Sequence, residues 1–292
     1  MLINLGSMNV FNPNELKKLY QPKSDSSGED NGSITIIGGS ELFHGAPILS
    51  LKVASRICDM VFFATPEKSV GQVAENIKSK LMSFVWVPWE DVDEYIEKSD
   101  AVLIGPGMMR FRSEKVPHAE RHNICDEACQ ETRSITQRFL SKYKSKRWVI
   151  DGGSLQVMEA DWIPKDAIIT PNKKEFQILF NSQFSISNSQ SFAKKYHCVI
   201  VAKGQETIVA SPTDCVLVKG GNAGMTKGGT GDVLAGLTVA LLAKNDPFLA
   251  ASASSYIEKK AADMLFSKLG TGYNADDLAD FLPQVFKLDT AK

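Results

Sequence analysis

The chain has 292 residues, of which 43% are hydrophobic and 23% charged, and its formal net charge is −1. This length supports a full hydrophobic core, and the near-neutral charge argues against a protein that coats nucleic acid or an anionic membrane, because both need a basic face. No apolar run approaches the ~20 residues that span a bilayer. We expect no secretory signal at residues 1–20 and reduced thiols for the five cysteines, hence a cytoplasmic protein.

Residues 1–32 are predicted to be an N-terminal extension that precedes the folded domain. Within it, residues 21–32 are rich in Ser, Asp, Glu and Gly and offer almost nothing to bury, so we expect a flexible segment. Residues 33–292 show no internal repeat and no second boundary, and this stretch is predicted to form a single domain.

From residue 33 onward, short apolar runs alternate with segments of helical spacing, which predicts a parallel sheet covered by helices on both faces. The predicted strands are 34–37, 60–64, 84–87, 101–104, 148–150, 167–169 and 199–202. The predicted helices are 48–57, 70–80, 124–140 and 176–180, with two helices closing the chain at 232–244 and 247–269. Residues 207–210 and 215–219 are predicted to form an antiparallel hairpin at the sheet edge.

Small or polar turns follow five of the predicted strands. They are 38–40, 105–107, 151–153, 170–172 and 203–204. The carboxyl ends of parallel strands lie at one edge of a sheet, and ligands of such proteins bind in the crevice there. We therefore expect the five turns to line one site.

The segment 222–231 is the most informative part of the chain, because four of its residues are glycine and it leads directly into the predicted helix 232–244. Unpaired N–H groups and the helix dipole at such a start favour an anion. Asp232, in the first turn, would then be a base beside a phosphate, as phosphoryl transfer to a hydroxyl requires. Spacing excludes a Walker A loop and a dinucleotide fingerprint. A helix-terminal charge beside a turn without ligand is the alternative.

The segment 222–237 resembles the signature of the ADP/ATP-dependent NAD(P)H-hydrate dehydratases, a branch of the ribokinase-like superfamily that repairs hydrated nicotinamide cofactors. Similarity continues, in the family's order, at 36–40, 44–46, 104–108 and 202–208. The resemblance implies a three-layer α/β/α ribokinase-like fold with a mainly parallel central sheet and an antiparallel edge hairpin. It makes residues 33–292 a single catalytic domain.

The resemblance also implies roles for individual residues, with Asp232 as the catalytic base. The implied nucleotide-binding residues are Lys203, Gly204, Gln205, Glu206, Thr207, Gly228, Gly229, Thr230 and Gly231. The implied substrate-binding residues are Ala46, Gly105, Gly107, Asn172 and Asp232. Substrates would be NADHX or NADPHX, with ADP or ATP as phosphoryl donor and Mg²⁺ as cofactor. We expect no nucleic acid or membrane partner, and we expect the protein to form a homo-oligomer.

Two positions have alternative interpretations. Asn172 and Glu175 are three residues apart and share a helix face, either as a capping box or as a site that holds Mg²⁺ through water, with Glu175 as the metal contact. Lys203 would either bind nucleotide phosphates or only place a positive charge at a strand end. Asn172 and Glu175 look like the Asn-x-x-Glu motif of ribokinase-type kinases, whereas the dehydratases usually carry histidine at position 172. Residues 151–155 likewise depart from the Asp-Ala-Asp-Ala-Leu run of the dehydratases.

Three functions remain open at this point. A dehydratase would phosphorylate the hydrate and then eliminate phosphate. A small-molecule kinase of the same fold, acting on a sugar, a hydroxymethylpyrimidine or a thiazole alcohol, would use the same Asp232, loop and metal but leave the phosphate on its product. A catalytically silent nucleotide-binding protein would keep only the loop.

Overall fold

The computed structural model describes residues 9–78, 80–110 and 125–289, which contain a nine-stranded sheet and ten α-helices. The strands are β1 (Ser33–Ile37), β2 (Met60–Ala64), β3 (Val85–Trp86), β4 (Ala101–Ile104), β5 (Arg147–Ile150), β6 (Ile168–Ile169), β7 (Val199–Ala202), β8 (Thr207–Ala210) and β9 (Cys215–Val218). The helices are α1 (Gly45–Ala54), α2 (Lys68–Ile77), α3 (Val92–Lys98), α4 (Glu127–Lys142), α5 (Gly152–Val157), α6 (Lys173–Phe180), α7 (Ile186–Tyr196), α8 (Thr230–Leu242), α9 (Pro247–Leu269) and α10 (Ala275–Asp289).

The sheet has the order β3-β2-β1-β4-β5-β6-β7-β8-β9. Its first seven members pair in parallel, and β8 and β9 add an antiparallel hairpin at the edge. All nine predicted strands are therefore present, with ends that differ from the predicted bounds by at most two residues. The predicted fold class, a mainly parallel sheet with an antiparallel edge hairpin, is confirmed.

Helices cover both faces of the sheet, and each face has its own hydrophobic core. Successive strand residues point to opposite faces, so Ile36 packs with α1, α2 and α8–α10 while Ile37 packs with α3–α7. Most strand residues are buried on whichever face they meet, which explains why the strands read as continuous apolar runs. Within the described residues, no helix combines the length and apolar character needed to cross a membrane.

Helix α8 carries the glycine-rich segment at its start and is apolar around its whole circumference. From Val233 onward its residues are buried, since the helix lies between the sheet and α1 and α9. Gly236 allows the close approach to α1, because a Cβ there would lie 2.5 Å from the Cα of Ser50. The Ser50 hydroxyl donates a hydrogen bond of 2.7 Å to the carbonyl oxygen of Asp232. Packing against α1 thus fixes the first turn of α8.

Several helix predictions need correction. Three helices close the chain rather than two, because α10 follows α9 and buries Leu278, Leu282 and Val285 at helical spacing. Helices α3, α5 and α7 were not predicted either. Helix α1 begins at Gly45, three residues before the predicted start, so Ala46 lies in a helix rather than a loop. In the predicted helices 70–80 and 124–140, residues 79 and 124 lie outside the described residues.

The described part of the N-terminal extension packs on the domain. Phe11, Leu16 and Leu19 are buried in the same core as α9 and α10. The N–H of Leu217 donates to the carbonyl of Asn9 at 2.9 Å, and the N–H of Phe11 donates back to Leu217 at 3.0 Å, beside strand β9. Residues 1–8 lie outside the described residues. The division at residue 32 and the flexibility of 21–32 stay predictions.

The expectation that all cysteines are reduced is wrong for one pair. Cys125 and Cys129 form a disulfide with Cα atoms 5.3 Å apart, where Cys125 lies just before α4 and Cys129 lies in its first turn. Cys58, Cys198 and Cys215 are free. Burial raises the pKa of the Cys58 and Cys198 thiols to about 12, so they pack as apolar side chains.

Candidate active site

The turns after the parallel strands meet at one edge of the sheet, as the sequence predicts. Gly105 follows β4 with a φ of +114°, and a Cβ there would lie 1.9 Å from the carbonyl oxygen of Asp151 after β5. The N–H of Gly39, after β1, donates to the carbonyl of Pro106 at 2.8 Å. These turns touch backbone to backbone, and only glycine permits that approach.

Lys203 connects the remaining turns to the glycine-rich segment. Its N–H donates to the carbonyl of Pro171 at 2.8 Å. Its Nζ lies 2.8 Å from Oδ1 of Asp151 and 3.9 Å from Oε2 of Glu175. A Cβ on Gly231 would lie 3.3 Å from the same Nζ. One ammonium group therefore joins the ends of β5, β6 and β7 to the first turn of α8.

Four carboxyl groups share the field of this single ammonium, those of Asp151, Glu175, Asp232 and Glu258. Burial raises the pKa of Asp232 to about 7, the carboxylate of Asp151 adds to the rise, and Lys203 opposes it. Burial also raises the pKa of Glu175 against the pull of Lys203. Burial lowers the pKa of Lys203, but the carboxylates of Asp151 and Glu175 outweigh this effect, so the pKa is raised. Asp232 is consequently suited to accept a proton near neutral pH.

Two of the five predicted substrate-binding residues, Ala46 and Gly107, are neighbours in the structure. A Cβ at Gly107, whose φ is +70°, would lie 3.1 Å from the Cβ of Ala46. Ser50 joins them to the catalytic turn, since its hydroxyl lies 3.5 Å from the carbonyl oxygen of Ala46 and 2.7 Å from that of Asp232. The β1 and β4 side of the site thus adjoins the start of α8 through one hydroxyl group.

In the glycine-rich segment, Gly224 and Gly229 leave no room for a side chain, since a Cβ at Gly224 would lie 2.4 Å from the ring of Tyr273, whereas Gly228 faces open space. Gly229 has a φ of +96°, and a Cβ there would lie 2.6 Å from Leu49 and 2.8 Å from Ala275. Gly228 has no atom within 4 Å of the corresponding Cβ position. Gly231 has no positive φ, because it already belongs to α8. Thr230 is buried and donates to the carbonyl of Met225 at 2.8 Å, which closes the loop.

Lys227 precedes these glycines and faces away from them. Its Nζ donates to the carbonyl of Tyr273 at 2.6 Å and also to that of Thr271, in the connection between α9 and α10. On the other side of the site, Gly204, Gln205 and Glu206 form an exposed turn between β7 and β8 directly after Lys203, and Thr207 is buried as the first residue of β8. A ligand between the loop and this turn would meet the Lys203 ammonium rather than that of Lys227.

Asn172 and Glu175 form the capping box of α6. Oδ1 of Asn172 accepts from the N–H groups of Lys174 and Glu175 at 2.9 and 3.0 Å, and Oε2 of Glu175 accepts from the N–H of Asn172 at 2.8 Å. Oε1 of Glu175 accepts from the side chain of Gln156 at 3.3 Å. Both oxygens of this buried carboxyl thus have protein partners. Its contact with Mg²⁺ through water stays a prediction.

The donor set around Lys203 fits a water-mediated Mg²⁺ contact better than a protein cage. It consists of carboxyl oxygens, which Mg²⁺ prefers, and its carboxyl groups outnumber the single ammonium. Among the described residues, however, no group of three or more His, Cys, Asp or Glu side chains is arranged to hold a metal ion. Mg²⁺ usually keeps several waters and binds largely through substrate phosphates.

Sequence reasoning did not assign a role to Asp151, which anchors the Lys203 ammonium and is only 2% exposed. The strand-end rule placed the turn 151–153 at the site, but it did not indicate that the carboxylate of Asp151 pairs with Lys203. Ser50 gives no such signal, since its role depends on the packing of α1 against α8.

Comparison with solved structures identifies the class of fold. A ribokinase-like superfamily protein from Enterococcus faecalis superposes with a TM-score of 0.81 at 23% identity, covering 99% of both chains. An ADP/ATP-dependent NAD(P)H-hydrate dehydratase from Bacillus subtilis, co-crystallised with ATP and Mg²⁺, superposes with a TM-score of 0.76 at 22% identity, covering 97% of this chain and 99% of that one. The protein has the ribokinase-like fold.

Comparison of sequences identifies the family. The family model described as NAD(P)H-hydrate dehydratase matches residues 34–284. The bifunctional NAD(P)H-hydrate repair enzyme Nnr of Methanocaldococcus jannaschii is 34% identical over 284 residues, which are 94% of this chain and 52% of the relative. The ADP-dependent (S)-NAD(P)H-hydrate dehydratase of Cenarchaeum symbiosum is 27% identical over 285 residues, which are 91% and 92% of the two chains. The chain belongs to the NAD(P)H-hydrate dehydratase family.

The relatives differ in how much of their length they share with this chain. The chain spans about half the length of the bifunctional repair enzymes it matches, at 52% and 53% for two of them. It matches nearly the whole of the two archaeal proteins named as ADP-dependent dehydratases, at 92% of each.

Proposed function

We propose that the protein dehydrates NADHX and NADPHX back to NADH and NADPH, with ADP or ATP as phosphoryl donor. The observation that carries the proposal is Asp232, a carboxyl group with a pKa near 7 that follows the glycine-rich segment and shares the field of Lys203. Membership of the dehydratase family supports the choice of substrate.

The proposed reaction gives roles to Asp232, to Lys203 and to the N–H groups at the start of α8. Ionised Asp232 takes the proton of the hydroxyl on the hydrated ring, and the oxygen attacks the terminal phosphorus of the nucleotide as its bond to the departing nucleotide breaks. Lys203 and the N–H groups at the start of α8 stabilise the negative charge on the phosphoryl group. The ring nitrogen then expels phosphate, and loss of a ring proton restores the double bond. Phosphorylation thus converts the hydroxyl group, which leaves poorly, into a phosphate, which leaves readily.

Mg²⁺ would neutralise phosphate charge when bound with the nucleotide. We propose that it is held mainly by phosphates and water, with Glu175 as its protein contact through water. Nucleotide would lie along the turn that begins at Lys203 and the loop at Gly228–Gly231. The hydrated ring would lie toward Ala46, Gly105, Gly107 and Asn172. Cytoplasmic location and a homo-oligomeric state are also proposals, and fractionation and light scattering test them.

One assay tests the function. The protein is incubated with NADHX or NADPHX and either ADP or ATP, while recovery of reduced-nicotinamide absorbance and release of inorganic phosphate are followed together. Equal amounts of both products support the proposal. Consumption of nucleotide with phosphate retained on an alcohol would identify a kinase instead, and nucleotide binding with no turnover would identify a silent homologue. The Asp232→Asn variant is the matched control.

A further inference from the structure

Two side chains of α9, outside the site described above, contact both segments that border the proposed nucleotide position. Lys259 and Asp263 are one helical turn apart and lie on the same face of α9. Lys259 is only 4% exposed. Its Nζ donates to the carbonyl oxygens of Gln205 at 2.8 Å, Gly220 at 2.9 Å and Gly204 at 3.3 Å. A single ammonium thus ties the turn between β7 and β8 to the end of β9.

Asp263 holds the segment that leads into the glycine-rich loop. Its Oδ2 accepts from the N–H of Gly221 and its Oδ1 from the side-chain amide of Asn222, both at 3.0 Å. Asn222 in turn accepts from the N–H of Gly224 at 3.0 Å and from the hydroxyl of Tyr273 at 2.7 Å. The carboxylate of Asp263 therefore fixes the residue from which the loop toward Gly228 begins.

The chemistry of Lys259 indicates a positioning role rather than simple packing. An ammonium has three donors, and here all three find carbonyl acceptors from two separate segments. Burying a charge costs desolvation energy even when the charge is hydrogen-bonded, and an apolar side chain would fill this space without that cost. Burial lowers the pKa of Lys259, while the neighbouring carboxyls of Glu258 and Asp263 oppose the fall. Because the ammonium donates to carbonyls on both sides, it fixes the distance between the Gly204–Gln205 turn and Gly220.

We propose that Lys259 and Asp263 are positioning residues for the nucleotide, which hold the Gly204–Gln205 turn and the Gly220–Asn222 segment at the separation that its phosphates need. This inference rests on the proposed function, because it assumes nucleotide along the Lys203 turn and the glycine-rich loop, which these two segments adjoin. Holding both segments in the bound arrangement before binding removes an ordering cost and so improves affinity. The hydrated ring, on the β1 and β4 side, would not depend on either residue.

The test compares Lys259→Met with the parent in two measurements. In calorimetric titrations with ADP and ATP, we expect the dissociation constant to rise by about tenfold or more, as for the loss of a preorganised contact. In steady-state assays, KM for nucleotide should rise likewise, while kcat at saturating nucleotide and KM for NADHX stay within about threefold. A side chain that only stabilised the fold would change all parameters together through the amount of active protein.

Lys268→Met is the matched control, since Lys268 lies on the same helix, is exposed and has its Nζ over the ring of Phe281, away from the segments that Lys259 joins. Asp263→Ala is the second variant, because Asp263 is exposed and the Lys259 ammonium keeps its three carbonyl acceptors without it. We expect it to weaken nucleotide binding as well, and the double variant to lose less than the sum of the two single losses, because both act on one arrangement.

The outcomes separate this inference from the proposed function. If the parent binds no nucleotide and turns over no NADHX, the proposed function itself is wrong. If the parent does both, and folded Lys259→Met and Asp263→Ala proteins bind nucleotide as tightly as Lys268→Met, the positioning role is overturned. Circular dichroism establishes the folded fraction. Should Lys259→Met fail to fold, the result for Asp263→Ala decides alone.

Discussion

Asp151 and Lys203 form a buried ion pair at the centre of the site, with Oδ1 and Nζ 2.8 Å apart. The same Oδ1 accepts a second hydrogen bond from the hydroxyl of Thr170 at 2.6 Å, which fixes the carboxylate. Since the pair joins β5 to β7, it places the ammonium of Lys203 beside Gly231 at the start of α8. The position of the Lys203 ammonium thus depends on the carboxylate of Asp151.

The first prediction concerns this cation. Lys203→Met should lower kcat/KM for nucleotide by about 10²-fold, the usual loss when a fixed donor to transition-state charge is removed. It should also raise the pKa of Asp232 further, because Lys203 is the positive charge that opposes the rise. Steady-state kinetics across pH measures both effects. Lys173→Met, at an exposed lysine on α6, is the control. Equal activity of the two variants would mean that Lys203 only balances charge.

The second prediction concerns the base. Asp232→Asn should leave nucleotide affinity near that of the parent and reduce turnover by about 10²-fold or more, because an amide cannot accept the hydroxyl proton. Helix α8 should be intact, since its first turn is held through the backbone carbonyl of residue 232 by Ser50. Calorimetry with ADP and single-turnover assays separate the two effects. Near-normal turnover would reduce Asp232 to a helix-terminal charge.

The third prediction follows from the pKa of Asp232, which burial raises to about 7. Only the ionised carboxylate accepts a proton, so kcat/KM for NADHX should rise about tenfold per pH unit below 7 and level off above it. The folded protein binds this proton more tightly than the unfolded chain, so Asp232 lowers stability progressively as pH rises from about 4 to about 7. Asp232→Asn should therefore raise Tm at about pH 8, by about 2 °C or more, and have little effect at about pH 4.

The measurement is a pair of profiles, activity against pH and Tm against pH, for the parent and Asp232→Asn. The residual activity of the variant should not show the rise near pH 7. A parent profile without an ionisation between about pH 6 and pH 8 would contradict the assignment of Asp232 as the base.

Much of the fold could be predicted because it depends on local patterns. The strands are buried on both faces and therefore read as short apolar runs, and the parallel order follows from their alternation with helices. The missed elements lack a clear local signal or lie beyond a break in the pattern. Helix α5 begins at Gly152, where Gly-Gly predicts a turn, and α10 follows Gly270 and contains Pro283. Tertiary packing of Leu278, Leu282 and Val285 stabilises α10 despite that proline.

The site was predictable where it depends on strand ends and not where it depends on contacts between helices. Lys203 and the turns at Gly105 and Gly107 lie where the sheet rule places them, and the glycine-rich segment was identified from its glycines and the helix that follows it. Lys259 and Asp263 act from the middle of a long helix, and no sequence pattern distinguishes their lysine and aspartate from those of a solvated face. The disulfide of Cys125 was missed because composition alone argued for free thiols.

The fourth prediction separates the two roles considered for Glu175. Glu175→Gln keeps an oxygen that can accept from the N–H of Asn172, so the capping box and α6 should persist. It removes the negative charge, so the Mg²⁺ concentration for half-maximal activity should rise if the carboxylate contacts the hydrated ion. Titration of activity with Mg²⁺ measures this, with far-ultraviolet circular dichroism as the check on α6. An unchanged titration would leave Glu175 as a helix cap alone.

The last prediction uses the different surroundings of three of the four glycines in the glycine-rich segment, Gly228, Gly229 and Gly231. Gly229→Val should destabilise the protein, because its φ of +96° disfavours a side chain and a Cβ would lie 2.6 Å from Leu49. Gly231→Val should instead disturb the ligand position, because its Cβ would lie 3.3 Å from the Nζ of Lys203 without backbone strain. Gly228→Val, whose Cβ meets no atom within 4 Å, should leave Tm unchanged.

The decisive comparison is nucleotide affinity against stability. For Gly231→Val and Gly228→Val we expect ADP and ATP to bind about tenfold or more weakly, since phosphate and a β-branched side chain would compete for the same space, while Tm stays close to the parent value. Gly28→Val is the matched control, because Gly28 also has no atom within 4 Å of its Cβ position and lies far along the chain from the loop. Calorimetric titration and thermal unfolding of all four variants test the argument. If Gly228→Val and Gly231→Val bind nucleotide as tightly as Gly28→Val, phosphate does not lie against this loop, and the roles proposed for Lys203 and Asp232 lose their common basis.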